Sequence, residues 1–173
     1  MTTKIESLRK LYIDYLKDMY SAENQITKAL PQVIKKVTEP ELKKGLEKHL
    51  KETMHQIERL EQIFQSLDGS PRGKKCVGME GVLGEGKETM AEKMTSPDLM
   101  DAALIGACQK VEHYEIAAYG TIRAFAKLLG EDEAMDLLTQ SLEEEKAADE
   151  KLTEVGMNIV NLDALQEDSR ERM

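Results

Sequence analysis

The chain has no tryptophan, two phenylalanines, four prolines and two cysteines in 173 residues. Cys76 and Cys108 cannot build a disulfide framework, and with no Cys-x-x-Cys a zinc thiolate site is excluded. A reducing cytoplasm is the simplest compartment for such a chain. No apolar run approaches the length of a signal segment or a membrane span, so a soluble protein with no membrane partner is expected. Positive charge is also short. Lys and Arg number 24 against 33 Asp and Glu, and a net charge of −9 makes nucleic acid and anionic surfaces poor partners. The Gly-x-x-Gly spacings between 69 and 97 follow no strand and end in no Gly-Lys-Ser/Thr, which excludes a phosphate loop.

What the chain does have is 40% hydrophobic and 33% charged residues with few helix breakers, the composition of long amphipathic helices in one all-α domain. Four apolar rows follow with steps of three and four. The first helix is expected from about Thr3 to Val37, with Pro31 kinking it or ending it near Leu30. Its row is Ile5, Leu8, Tyr12, Leu16, Met19, Glu23, Ile26 and Leu30. The second starts at Thr38-Glu-Pro40-Glu41 and extends to about Leu67, with a row of Leu42, Leu46, Leu50, Thr53, Ile57, Leu60, Phe64 and Leu67. Residues 69–97 are Gly-rich and read as a crossover along the bundle, with a short helix over 85–93; helices two and three are then parallel. Ser96-Pro97-Asp98 caps the third helix, which ends at Gly130, and the fourth runs to about Val155. The bundle thus occupies 1–156. The tail, 157–173, carries enough apolar residues to dock a short helix before a charged end expected to be disordered.

The third row contradicts its own apolarity. It reads Ile105, Cys108, Glu112, Glu115, Tyr119, Ile122, Ala126 and Leu129, so two carboxylates one turn apart lie on a buried face. An ionised carboxylate in such a place costs several kcal/mol unless a partner charge, hydrogen bonds or a metal compensates it. The same anomaly recurs on every long helix. Glu23 lies on the first row, Glu145 and Asp149 lie on the fourth (Met135, Leu138, Leu142, Glu145, Asp149, Leu152, Gly156), and Glu52 flanks the second in line with His49 and Gln56. Glu52-Thr-Met-His55 has Glu-x-x-His spacing, so either His49 or His55 can serve as a ligand. Hard oxygen donors converging at the centre of a four-helix bundle suit two divalent ions bridged by carboxylates, iron first and manganese second. The competing reading is a metal-free bundle whose glutamates pair with buried Lys or Tyr hydroxyls.

The segments Leu16-Lys-Asp-Met-Tyr20-Ser-Ala-Glu23, His49-Leu-Lys-Glu52-Thr, Cys76-Val-Gly-Met-Glu80-Gly, Lys110-Val-Glu112-His-Tyr-Glu115-Ile-Ala-Ala-Tyr119-Gly and Leu142-Glu-Glu-Glu145-Lys resemble the YciE/YciF family of ferritin-like proteins. The resemblance spans about residues 5 to 155. It implies a ferritin-like four-helix bundle related to rubrerythrin, a homodimer, and a place in bacterial stress responses. It also implies that Glu23, Glu52, Glu112, Glu115 and Glu145 stand at the superfamily's di-metal ligand positions; the His-Leu-x-Glu-Thr segment favours His49 as a ligand, while the superfamily's usual Glu-x-x-His spacing favours His55. One departure matters: the position three after Glu145, where the superfamily places His, is Ala148, with Asp149 next. The resulting expectations are a di-iron or di-manganese oxidoreductase acting on peroxide or oxygen, with Tyr20 or Tyr119 near the centre, or a non-catalytic metal-stabilised dimer that binds a partner under stress. Iron storage in a large shell is disfavoured.

Overall fold

The computed structural model describes residues 5–171, with side chains placed to residue 166. Six helices, α1 (Leu8–Lys36), α2 (Pro40–Ser66), α3 (Val77–Ala91), α4 (Pro97–Leu129), α5 (Asp132–Val155) and α6 (Asn161–Glu171), follow one another, a π-turn at Gly156–Val160 joining α5 to α6. The described residues include no strand. The four helices read from the sequence are α1, α2, α4 and α5.

Cross-helix contacts give the directions. Tyr15 meets Phe125 edge-on at 5.7 Å, the Tyr119 hydroxyl donates to Glu23, and Asp101 accepts from Thr38, so α1 and α4 are antiparallel. Gln62 reaches Glu133 and Gln56 reaches Glu145, so α2 and α5 are antiparallel as well. Asp101 at the start of α2 and Glu112 beside His49 make α2 and α4 parallel, as a crossover of this length requires. The architecture is the expected four-helix bundle of two antiparallel hairpins.

The ends of the helices are chemically fixed. Ser7 caps α1, Glu39 caps α2 ahead of Pro40, Ser96 caps α4 ahead of Pro97, and Gly130 closes α4 at φ 72°. A further clamp holds the α1–α2 turn. Asp101, fully buried on α4, accepts from the backbone N–H groups of Thr38 and Glu39 at 3.1 and 2.7 Å and from the Thr38 hydroxyl at 2.8 Å. A carboxylate on the first amides of α2 satisfies donors that the helix itself leaves open and suits the positive end of its dipole.

Four expectations need correction. The first helix starts at Leu8, not Thr3, with Ile5 and Leu8 exposed; residues 1–4 lie outside those described. It runs through Pro31 to Lys36, close to the expected Val37, so of the two expected effects of Pro31 the stop near Leu30 does not occur; Leu30 and Ile34 on either side are buried and their packing offsets the lost hydrogen bond. On α2 the expected Leu42, Leu46, Thr53, Leu60 and Phe64 are buried, but His49, Gln56 and Ile63 are buried with them, and Leu50, Ile57 and Leu67 sit at the edge. The crossover helix is Val77–Ala91 rather than 85–93. It is seated by Gly78, where an added Cβ would lie 2.8 Å from the Tyr114 ring; the Tyr114 hydroxyl in turn lies 2.9 Å from Cys76 Sγ and 3.3 Å from Asp18. The tail packs its first part on the bundle through Val160 and Ala164. Its charged end, for which disorder is expected, lies partly outside the described residues.

The core divides into two apolar clusters. One gathers Tyr12, Leu16, Met19, Phe64, Ile122 and Leu138; the other, in the opposite half of the bundle, gathers Leu30, Ile34, Leu42, Leu46, Leu104 and Leu152. Between them lies a polar layer.

Candidate metal centre

That layer is built from one or two residues of each long helix. Glu23 comes from α1, His49 from α2, Glu112 and Glu115 from α4, and Glu145 from α5; all five are at most 4% exposed. The three-and-four spacing that makes each helix amphipathic also aims these side chains inward, so the apolar clusters above and below deliver them to one level. His49, Glu112, Glu115 and Glu145 each offer a ligand atom within 4.8 Å of the others, a group that could hold a metal ion. His49 Nε2 stands 3.3 Å from Glu112 and 3.7 Å from Glu145, while Nδ1 faces Glu52 at 3.7 Å.

Around this group lies a ring of supporting contacts. The Gln56 amide donates to Glu145 at 2.5 Å and to Glu144 at 3.0 Å, and Arg59 grips Glu144 with two nitrogens at 2.6 and 2.7 Å. Tyr119, buried beside Glu115, donates its hydroxyl to Glu23. Glu52 is half-buried at the edge, held by Lys48 and His49. Asp149 is half-buried too, but its carboxylate lies against Gln109 and His113, at 3.1 and 3.2 Å. His55 is exposed. Tyr20 points away from the layer and donates to Glu61.

The electrostatics show how unbalanced the layer is. Burial, followed by the neighbouring glutamates, pushes Glu112 and Glu115 well above the usual carboxylate range. Burial and Glu145 push Glu23 up likewise, against the opposing bond from Tyr119. Burial alone would lower His49, but Glu52 and Glu145 outweigh it and raise the imidazole. Glu52 is held low, first by His49. Cys108 is pushed up to about 12 by burial and by Glu112, so it stays a neutral thiol and is no thiolate ligand.

These residues fit a divalent ion on two observations. Both His49 nitrogens, both Glu115 oxygens and one oxygen each of Glu23, Glu112 and Glu145 are buried with no hydrogen-bond partner. Unpartnered buried oxygens of this kind are costly, and a cation would satisfy them together with one nitrogen of His49, whose Nε2 faces Glu112 and Glu145. The second observation is the lack of protein cations: among the described residues no Lys or Arg is buried, so only His49 can answer the carboxylates from within. Within the layer the expected pairing of glutamates with tyrosine hydroxyls is seen at Glu23; pairing with buried lysine does not occur among the described residues.

Sequence reasoning missed two buried polar residues, Asp101, which clamps the α1–α2 turn, and Gln56, which supports Glu145. Asp101 was within reach, four positions before Ile105 on the same row. Gln56 carried only a weak signal, its alignment with His49 and Glu52.

The sequence profile described as "Domain of unknown function (DUF892)" matches residues 7–165. Protein YciF of Escherichia coli (strain K12) is 43% identical over 158 residues, covering 91% of this chain and 95% of YciF. The crystal structure of that protein, described as a stress protein, superposes with a TM-score of 0.86 over 91% of this chain and 99% of its own. YcfI of Rhodopseudomonas palustris, described as a candidate structural protein, superposes with a TM-score of 0.84 at 44% identity, covering 88% of this chain and 97% of its own. A Xanthomonas campestris protein at 23% identity shares the fold, with a TM-score of 0.73.

Proposed function

Because the chain belongs to the DUF892 family and is YciF-like along nearly its whole length, we propose that it is a bacterial stress protein built around a buried iron or manganese centre. The observation that carries this reading is the orphaned carboxylate layer at the middle of the bundle. His49, Glu112, Glu115 and Glu145 hold the ion or ions; Glu23 and Glu52 flank them as further carboxylate donors. Charge supports two ions over one. Glu23, Glu112, Glu115 and Glu145 are all buried, and four ionised carboxylates balance two dications. A set this rich in oxygen and with a single imidazole favours iron or manganese over zinc.

Bound iron or manganese would supply redox and Lewis-acid chemistry toward peroxide or oxygen. The chain's own residues orient and insulate it. Gln56 fixes the Glu145 carboxylate, Tyr119 fixes Glu23, and the two apolar clusters exclude bulk water. The same reading includes a cytoplasmic homodimer. A non-catalytic alternative, a metal-stabilised bundle that recognises a partner, draws support from the structural-protein description of YcfI.

Calorimetric titration with manganese(II), and with iron(II) under anaerobic conditions, tests the reading. Glu115→Ala should lower the stoichiometry, since both its oxygens lack protein partners. Asp149→Ala should keep the stoichiometry and weaken affinity more modestly, since its carboxylate lies against Gln109 and His113 and reaches Glu112 only through its charge. Reversed outcomes would exchange the two roles, and no heat of binding for the unaltered protein would end the proposal.

A further inference from the structure

Two openings reach the carboxylate layer, and they differ in chemistry. Between α2 and α5 a cleft of about 60 Å³ carries Glu41, Lys48, Glu52 and Lys151 and ends at His49 and Glu112, a charged route suited to ions. On the other side, between α1, α3 and α4, lies a pocket of about 40 Å³ with walls from Val33, Val82, Met90 and Leu104. Its inner end is also His49 and Glu112; exposed Gln32 and Lys87 mark its mouth. Ala29, Gly86 and Ala107 keep it open by being small.

Taking the metal-binding reading as its basis, we infer that this apolar pocket between α1, α3 and α4 admits and binds a small uncharged diatomic molecule, dioxygen or nitric oxide, against the His49–Glu112 face of the centre. The volume exceeds the space one water needs, so size alone does not bar entry. Between its mouth and the His49–Glu112 end the walls are apolar, so a polar guest finds partners only at that inner end, and the stretch leading to it favours apolar atoms and gases. Hydrogen peroxide, which must keep its hydrogen bonds, is matched better by the charged cleft. The crossover helix therefore has a role besides connection: Val82, Gly86 and Met90 of α3 form the outer wall.

The test separates the pocket from the metal. Gly86 lies inside α3 on the pocket wall with no atom within 4 Å of an added Cβ, so Gly86→Leu is accommodated without displacing backbone and narrows the space along that wall. Gly81 is equally open but does not line the pocket, and Gly81→Leu is the control. Xenon nuclear magnetic resonance on metal-free protein should show saturable binding in the unaltered chain and in Gly81→Leu, and loss of it in Gly86→Leu. Iron(II)-loaded proteins, first checked for equal iron content, are then mixed with nitric oxide, and separately with dissolved oxygen. Gly86→Leu should slow the reaction with at least one gas several-fold, while a hydrophilic chelator strips iron at an unchanged rate. Ala107→Leu, from the opposite wall, gives a second filling if Gly86→Leu fails to fold. Absence of xenon binding, or unchanged rates with both gases in iron-loaded filled variants, overturns the pocket assignment and leaves the metal centre standing. A chain that takes up no iron overturns both, and the initial iron assay shows it.

Discussion

Glu115 is where a metal centre and a purely structural polar layer make opposite demands. Its side chain is fully buried, both oxygens lack a hydrogen-bond partner, and Glu23, Glu112 and Glu145 surround it. Without metal, burial and these neighbours push its carboxyl well above the usual range, so at neutral pH its ionised form carries a penalty in the folded state that it does not carry in the unfolded chain. Glu115→Leu removes the penalty with little change of volume. Replacing buried charges by apolar groups has stabilised proteins by about 1–4 kcal/mol, and each kcal/mol moves the melting point of a domain this size by about 2–4 °C. The metal-free variant should therefore melt higher than metal-free unaltered protein, by about 5–10 °C. With metal at a hundred times its dissociation constant, the unaltered protein should gain about 2.7 kcal/mol and overtake much of that difference. The variant should gain far less. Differential scanning calorimetry with and without manganese reads all four states. A metal-free Glu115→Leu that melts lower than the unaltered protein, with an undiminished response to metal, would refute the reasoning.

Three further outcomes follow from the same structure. Lowering the pH from 7.5 toward 5 should raise the melting point of metal-free protein and shrink the gain from metal: Glu23, Glu112, Glu115 and His49 all have raised values in the folded state, so the folded chain binds extra protons, while ligands must lose theirs to bind metal. A melting series across that range, in both states, checks the two slopes. Asp101→Ala, which strips the acceptor from two backbone amides and the Thr38 hydroxyl, should lower stability by about 2–4 kcal/mol in urea unfolding, with Asp101→Asn milder. Gln56→Leu should weaken metal binding about 10- to 100-fold by freeing the Glu145 carboxylate, with helix content unchanged by circular dichroism.

The helices with the clearest caps and strongest apolar rows were legible from sequence. On α4 the row from Ile105 to Ala126 is buried residue for residue, and the Ser96-Pro97 start and Gly130 stop stand where capping chemistry puts them. The phase of α2 was legible only in part, through Leu42, Leu46, Thr53, Leu60 and Phe64. Its inward face also carries His49 and Gln56, polar groups buried because Glu112 and Glu145 wait on the opposing helices, and a hydropathy count sees only that Leu50 and Ile57 are more apolar. Of the two outcomes open at Pro31, a stop near Leu30 was not taken for a related reason: local preference argues for a break worth about 3 kcal/mol, and the burial of Leu30 and Ile34 outweighs it only in the folded bundle. At the candidate centre, the inward carboxylates announced themselves by interrupting apolar rows. Glu52 and Asp149, at the edges of theirs, could be placed at the rim only once their partners Lys48, Gln109 and His113 were seen.

Metal analysis of the protein purified, without chelator, from the organism that makes it bears most directly on the central claim, since recombinant loading can insert the wrong ion. Inductively coupled plasma mass spectrometry should find iron or manganese at one to two ions per chain, and Glu112→Gln from the same host should lose most of it. Protein that carries no transition metal as isolated, and takes up none on titration, would contradict a metal centre in this bundle.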